Sequence, residues 1–278
     1  MKIINSVREQ QVICQELIND KNKISLIPTM GNLHHGHESL LKASINDQYR
    51  ICSIFINPLQ FNDIDDYNNY PKTIDKDIEI LKSYKIDYLF LPEKKDIISV
   101  VDNFNYNLPT FANILCGKYR DSHFLGVVQI VKKLFDIIQP STAYFGKKDY
   151  QQLLLIKHLV NNNFNNKIEI IECETKREKN GLAMSSRNHN LSSEKRNIAA
   201  NVYKELCELK KIIIKEPSQY SAKKIDIIKR MSDLGIKIEY LEVLSRNNLS
   251  TPIDISNETN IFVAFYIDQI RMIDNIEI

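Results

Sequence analysis

Two histidines three positions apart, His34 and His37, stand where an apolar run gives way to helical spacing. At the start of a helix that spacing turns both imidazoles to one side, toward a common ligand. Gly31 and Gly36 mark a strand-to-helix junction. Such junctions bring backbone N–H groups and a helix N-terminus toward an anion. A pair of imidazole donors there suits a triphosphate whose charge rises during displacement. The same spacing could ligate a metal, but no third Cys, Asp or Glu is placed nearby. His35 reads as a solvent-facing residue.

Four other groups carry possible chemistry. Asn57 closes an apolar run and Gln60 lies just beyond it, where α/β sheets bind ligands. Their amides can fix a small polar acid directionally, although Asn57 alone could be an Asn-Pro turn cap. Gly146-Lys147-Lys148-Asp149 follows another run and opens a helix. Lys148 can put a point charge on phosphate, and Asp149 can hold a ribose hydroxyl or cap the helix. Without a ligand the same run would be a basic surface turn. Met184-Ser185-Ser186-Arg187 offers two hydroxyls and a guanidinium for outer phosphates, on a loop able to close, or else a Ser-rich helix cap. Arg120, just before His123, is either an anion contact or a surface arginine.

These groups need a scaffold that gathers loop ends. Apolar runs at 23–29, 51–56, 86–91, 142–145 and 168–173 read as strands. Helical spacing covers 38–46, 74–84, 123–138 and 150–161, with Pro140 closing the third and an Asn-rich turn expected at 161–166. This alternation predicts an α/β fold, a Rossmann-like parallel sheet with helices on both faces. After about Thr175 the pattern changes to helices at 191–214 and 221–234 and strands at 238–243 and 261–266, with an alternating C-terminus. That is a smaller C-terminal α+β domain. The expected division is 1–175 and 176–278.

Composition agrees. The 278 residues are 43% hydrophobic and 26% charged, with net charge +2, so no strong field points to nucleic acid or an anionic membrane. Five scattered cysteines without a CxxC pair read as buried thiols in a reducing compartment. MKIINSVREQ lacks an apolar h-region, and no apolar run suffices for a membrane span, so a cytoplasmic protein is expected. Glycine is scarce at 7, so each should mark a sharp turn or a close backbone approach.

HxGH after a strand is similar to the nucleotidyltransferase-like Rossmann group that includes class I aminoacyl-tRNA synthetases. The surrounding PTMGNLHHGHESLLKAS resembles the nucleotide-binding segment of the pantothenate synthetase (pantoate–β-alanine ligase) family. SIFINPLQF, YPKTIDKD, RDSHFLGVVQIVKKLF, AYFGKKDYQQ and REKNGLAMSSRN follow in the family's order, covering roughly residues 24 to 196. The C-terminal part is similar only in length and layout.

The resemblance implies two half-reactions. Pantoate attacks the α-phosphorus of ATP to give pantoyl adenylate and pyrophosphate; β-alanine then displaces AMP to give pantothenate. It implies ATP contacts from Met30, Gly31, His34 and His37, from Gly146, Lys148 and Asp149, and from Lys176, Met184, Ser185, Ser186 and Arg187. His34, His37, Lys148, Ser185, Ser186 and Arg187 would neutralise phosphate charge together with Mg²⁺, with His37 as proton donor. Gln60, Gln152, Asn57 and Arg120 would hold pantoate. A homodimer with a C-terminal lid is implied too.

Some positions depart from the family pattern. Lys147 replaces Glu, which would put a second cation beside Lys148. Asp121-Ser122 replaces Pro-Gly, which would put a carboxylate near Arg120. Asn32 replaces a small apolar residue, Lys72 an Arg, and Lys179-Asn180 a Pro-Asp. Two rival readings are another HxGH nucleotidyltransferase and a non-catalytic nucleotide- or tRNA-binding module. The Gln60/Gln152 pair with NPxQF argues against the first, and the near-neutral charge against the second.

Overall fold

The computed structural model describes residues 1–98, 106–255 and 257–278. Among them, six parallel strands form one sheet in the order β1-β4-β3-β2-β5-β6. They are β1 (Lys2–Ile4), β2 (Ile24–Thr29), β3 (Tyr49–Ile54), β4 (Tyr88–Phe90), β5 (Thr142–Gly146) and β6 (Glu169–Cys173). The helices are α1 (Val7–Asn19), α2 (His35–Ala43), α3 (Ile64–Asn68), α4 (Ile74–Ser83), α5 (Lys94–Ile98), α6 (Cys116–Tyr119), α7 (His123–Ile138), α8 (Tyr150–Phe164), α9 (Ser193–Lys215) and α10 (Tyr220–Asp233). A second, antiparallel sheet runs β7-β8-β9 (Ile236–Ser245, Thr259–Ile267, Ile270–Glu277).

The central strands are apolar on both faces because helices cover both. Ile24, Leu26 and Ile51 join a core with α1, α7 and α8. Ile27, Cys52 and Ile54 point the other way, to Leu40 and Leu41 of α2 and Leu81 of α4. The period of two is the strand pleat, read in burial. A separate core joins α9 and α10 to the antiparallel sheet. No helix among the described residues is long and apolar enough to cross a membrane.

The topology decides where ligands can sit. β2 pairs with β3 on one side and β5 on the other, so the chain reverses direction across the sheet at β2. The crevice beyond the carboxyl ends of these strands is the switch point where open α/β sheets bind ligands. The segments after β2, β3 and β5 carry His34 and His37, Asn57 and Gln60, and Lys147–Asp149.

Helix α7 has the bounds its spacing predicts, and it packs closely on the single 3₁₀ turn Pro58–Gln60 that bears Gln60. A Cβ at Gly126 would lie 2.4 Å from the carbonyl oxygen of Leu59, so only glycine permits this approach. Other elements differ from expectation. The run at 24–29 is the second strand, because three-residue β1 precedes it at the sheet edge. Helix α1 has no counterpart among the predicted elements. α2 starts at His35 and ends at Ala43, which leaves Ile45 off the helix and 53% exposed. α8 runs through the first asparagines to Phe164, and Asn165 and Asn166 then take left-handed φ of 49° and 56°. Four of the five cysteines are buried, and Cys207 is half-buried.

Ser122 stands where the resembled family has glycine. It has φ 61° and makes no capping bond to α7. A left-handed side-chain-bearing residue costs roughly 1–2 kcal/mol, partly offset by glycine's greater entropy loss. Ser122→Gly should therefore stabilise the fold by about 0.5–1 kcal/mol, seen as a higher urea midpoint at unchanged slope. A lowered midpoint would mean that the hydroxyl, not the backbone, matters there.

Candidate active site

Beyond Thr29 the chain turns sharply through Gly31 (φ 80°) and Asn32 (φ 51°). The turn is held by Asp77 of α4, whose buried carboxylate accepts from Asn32 N (2.9 Å), Leu33 N (2.8 Å) and Thr73 Oγ1 (3.2 Å). Gly31 is buried in this turn, and its left-handed φ shapes the backbone there. Asn32, departing from the small apolar residue, suits its left-handed backbone.

The turn delivers His34 to the N-cap of α2. His34 Nδ1 accepts from Gly36 N (3.1 Å), and His37 Nδ1 accepts from His34 N (3.3 Å). Both acceptor nitrogens must be unprotonated, so each neutral ring carries its proton on Nε2. The rings lie 4.1 Å apart, centre to centre. A Cβ at position 36 would come within 2.7 Å of the His34 ring, so the glycine between them lets that ring fold back. Burial, then the neighbouring His37 and Lys148 charges, push His34 down to about 3; burial and Lys148 push His37 down to about 4. His35 is exposed, as expected, and it pairs with Glu38.

Both histidines line a cavity of about 270 Å³. Gln60 lines the same cavity. Asn57 also reaches the wall, but its amide is spent internally: Oδ1 accepts from Leu59 N (3.0 Å), and Nδ2 donates to Gly126 O (3.0 Å) and Gln60 Oε1 (3.1 Å). Asn57 is thus the turn cap that also orients Gln60. Arg120 supports the same residue, donating from Nη2 to Gln60 O (3.1 Å) and from Nη1 to His123 Nε2 (3.0 Å). His123 donates from Nδ1 to Gln60 O (2.7 Å). Burial lowers Arg120 to about 10, still charged at neutral pH, and burial beside Arg120 lowers His123 to about 3. Gln152 lines the wall from the first turn of α8. Val127, Ile130, Val131 and Leu134 of α7 give the cavity an apolar wall.

Lys148, Lys176, Met184, Ser185, Ser186 and Arg187 line the same cavity, with Met30, Gly146 and Asp149. A Cβ at Gly146 would meet nothing within 4 Å. Asp149 precedes α8 without a side-chain capping bond, so the helix does not consume its carboxylate. Ser185 caps the 3₁₀ turn that follows, accepting from Arg187 N (3.3 Å). Tyr70 OH donates to Ser186 Oγ (3.4 Å), and Arg187 pairs with Asp66 at 2.8 Å.

Two expected perturbations are corrected. Lys147 pairs with Glu174 and is off the cavity wall, so its charge is matched there and does not add to that of Lys148. Asp121 is exposed and, among the described residues, makes no ion pair with Arg120; its backbone carbonyl instead accepts from Asn62 Nδ2 (2.6 Å). Asp77 and Asp66 escape a reading of the sequence. Each looks like an ordinary acidic helix residue, and only tertiary contact gives it a role.

Comparison with known proteins accounts for the chain as a whole. Residues 2–277 match the family model described as pantoate-beta-alanine ligase. The chain is 36% identical to the pantothenate synthetase of Thermosipho africanus, over 99% of each chain. It is 40% identical to that of Wigglesworthia glossinidia brevipalpis, over 100% of this chain and 99% of the relative. The crystal structure of pantothenate synthetase from Thermus thermophilus superposes with TM-score 0.89 at 29% identity, covering 100% and 99% of the two chains. A pantoate-beta-alanine ligase from Francisella tularensis, complexed with beta-gamma ATP and beta-alanine, gives 0.82 at 38% identity, covering 99% and 97%. With its whole length accounted for in sequence and in fold, the chain belongs to the pantoate-beta-alanine ligase family.

Proposed function

We propose that this protein joins pantoate to β-alanine at the expense of ATP, through pantoyl adenylate. The observation that carries the reading is the convergence, on one cavity at the switch point, of two neutral imidazole donors, Lys148 and Arg187, and the Gln60/Gln152 pair. Family membership selects the amide-forming reaction over the rival nucleotidyltransferases.

The pantoate carboxylate is already ionised at neutral pH, so the first step needs no base. Its oxygen attacks the α-phosphorus, and the bond to the β-phosphate oxygen breaks to release pyrophosphate. Catalysis is then positioning and charge stabilisation. Gln60 and Gln152 hold the acid in line. His37 Nε2–H and His34 Nε2–H donate to phosphate oxygens as charge builds, and Lys148, Ser185, Ser186 and Arg187 neutralise the outer phosphates. Met30, Gly146, Asp149, Lys176 and Met184 contact the nucleotide. The amine of β-alanine then attacks the acyl carbon, and AMP leaves.

Mg²⁺ enters as part of the MgATP substrate: among the described residues no three His, Cys, Asp or Glu side chains converge as a cage, and the polyphosphate supplies oxygen ligands. In the same proposal, residues 1–175 bind ATP and pantoate, and 176–278 act as a lid that keeps water from the adenylate. The enzyme is taken as cytoplasmic and without nucleic-acid or membrane partners, which the net charge of +2 and the free thiols support, and as a homodimer, which the family resemblance implies.

The direct test is pantoate-dependent ATP–pyrophosphate exchange, followed by AMP release on adding β-alanine. Exchange with another acid but not with pantoate would sink the substrate assignment and spare the adenylation chemistry. His37→Ala should lower exchange by roughly 10²–10³-fold, the usual cost of one preorganised donor. Its effect on folding stability should stay near the ~1–2 kcal/mol of a lost cap. Unchanged exchange in the folded variant would defeat the role given to His37.

The histidines also set a pH dependence. His34, His37 and His123 are held at about 3, 4 and 3, below the ordinary histidine value of 6.5. As pH falls below the unfolded value, the unfolded chain takes up protons that the native state refuses. Their stabilising contribution is therefore complete above pH 6.5 and declines below it. Thermal unfolding should show Tm falling from about pH 6.5 to 5, above the range of ordinary carboxylates. His37→Gln should flatten that slope, and an unaltered slope would contradict the buried neutral state.

A further inference from the structure

The turn that carries Lys148 has little to hold it locally. It is a single 3₁₀ turn, Lys147–Asp149, without a side-chain cap, and Gly146 before it leaves open space around its Cα. Its two leading carbonyls are instead gripped from the antiparallel sheet. Asn275 of β9 donates from Nδ2 to Lys147 O (3.0 Å) and Lys148 O (2.9 Å). Both hydrogens of one amide are used on adjacent peptide groups. Asn275 is itself fixed, since Oδ1 accepts from Asn260 Nδ2 of β8 (3.3 Å) and its backbone N–H donates to Asp274 Oδ1 (2.8 Å).

Asp274 extends the grip to the other cationic segment. Arg177 donates to both its carboxylate oxygens (2.6 and 3.0 Å) and to Asn275 O (3.3 Å). The guanidinium also lies 3.7 Å from the centre of the Tyr203 ring. Arg177 opens the strap that leads to Ser185–Arg187, and it pairs with Ala183 in an isolated bridge. Asp274 and Asn275 are 6% and 7% exposed, so these bonds form in a poorly screened interior.

We propose that Asn275 is a positioning residue for ATP, fixing the peptide planes from which Lys148 leaves the backbone. The proposal rests on the reading of Lys148 as a phosphate cation. A lysine stem is long and flexible, so its ammonium is placed only as well as its backbone is. A misplacement of about 1 Å can cost roughly 10²-fold in rate. The inference gives the antiparallel sheet a part in nucleotide positioning distinct from covering the site.

The test uses the full-length enzyme and pyrophosphate exchange, with ATP and pantoate varied separately. Asn275→Ala removes both donors. Asn275→Asp keeps the volume and turns acceptors toward the two carbonyls, so it tests the same bonds if the alanine variant folds poorly. Thermal unfolding confirms that each variant is folded. Both should lower kcat/KM for ATP by roughly tenfold, with KM for pantoate within about twofold of the parent. In the Lys148→Ala background, Asn275→Ala should add little, because it acts through the same group. Equal losses for ATP and pantoate, or multiplying losses in the double variant, would overturn the positioning role. Unchanged exchange in Lys148→Ala alone would instead remove the reading of Lys148 on which the role depends.

Discussion

A buried carboxylate holds the turn on which this site depends. Asp77 is 1% exposed, and it accepts two consecutive backbone N–H groups from the segment between β2 and α2. A carboxylate taken out of water is tolerated only when donors replace its hydration. The donors here are those that a left-handed turn at Gly31-Asn32 leaves unpaired. Each side solves the other's problem, and the outcome is a fixed entry to α2. The histidines then follow from capping geometry: His34 closes on Gly36 N, and His37 reaches back to His34 N. Tautomer, ring direction and neutrality are all set before any ligand arrives.

The other two loops meet this one because of sheet order. With β3 and β5 flanking β2, neighbouring strand ends bring an amide-bearing turn and a lysine-bearing turn to either side of the imidazoles. One cavity wall as a result combines the carboxamides of Gln60 and Gln152 and the apolar face of α7 with Arg120, Lys148 and the hydroxyls and guanidinium of Ser185–Arg187.

Much of this is legible in the sequence, for a physical reason. Central parallel strands are buried on both faces, so they read as apolar runs, and α7 presents a long apolar stripe whose spacing marks both its ends. Edge strand β1 has three residues, too few to show a period, and α1 buries Gln10 beside Cys14 and Leu17, a polar residue that blurs the stripe. Site residues supplied by strand ends stand out as motifs. Those whose meaning comes from a distant partner do not. Asp77 serves residues 45 and 44 positions away, and Asn57 spends its amide on Gly126, 69 positions on. Lys147 reads as a free cation because Glu174 lies on another strand's exit.

The contact between Gly126 and Leu59 makes helix α7 and the Gln60 turn a single mechanical piece. For redesign of acid specificity this divides the wall into two kinds of position. Val131 and Leu134 lie along α7, one and two turns beyond Gly126, and they can change volume while the carboxamide stays where it is. Gly126 offers no such freedom, since any side chain there moves the turn before it alters the cavity. If the acid sits where the proposal puts it, its pocket is adjustable in width along the helix and fixed in the direction from which it grips.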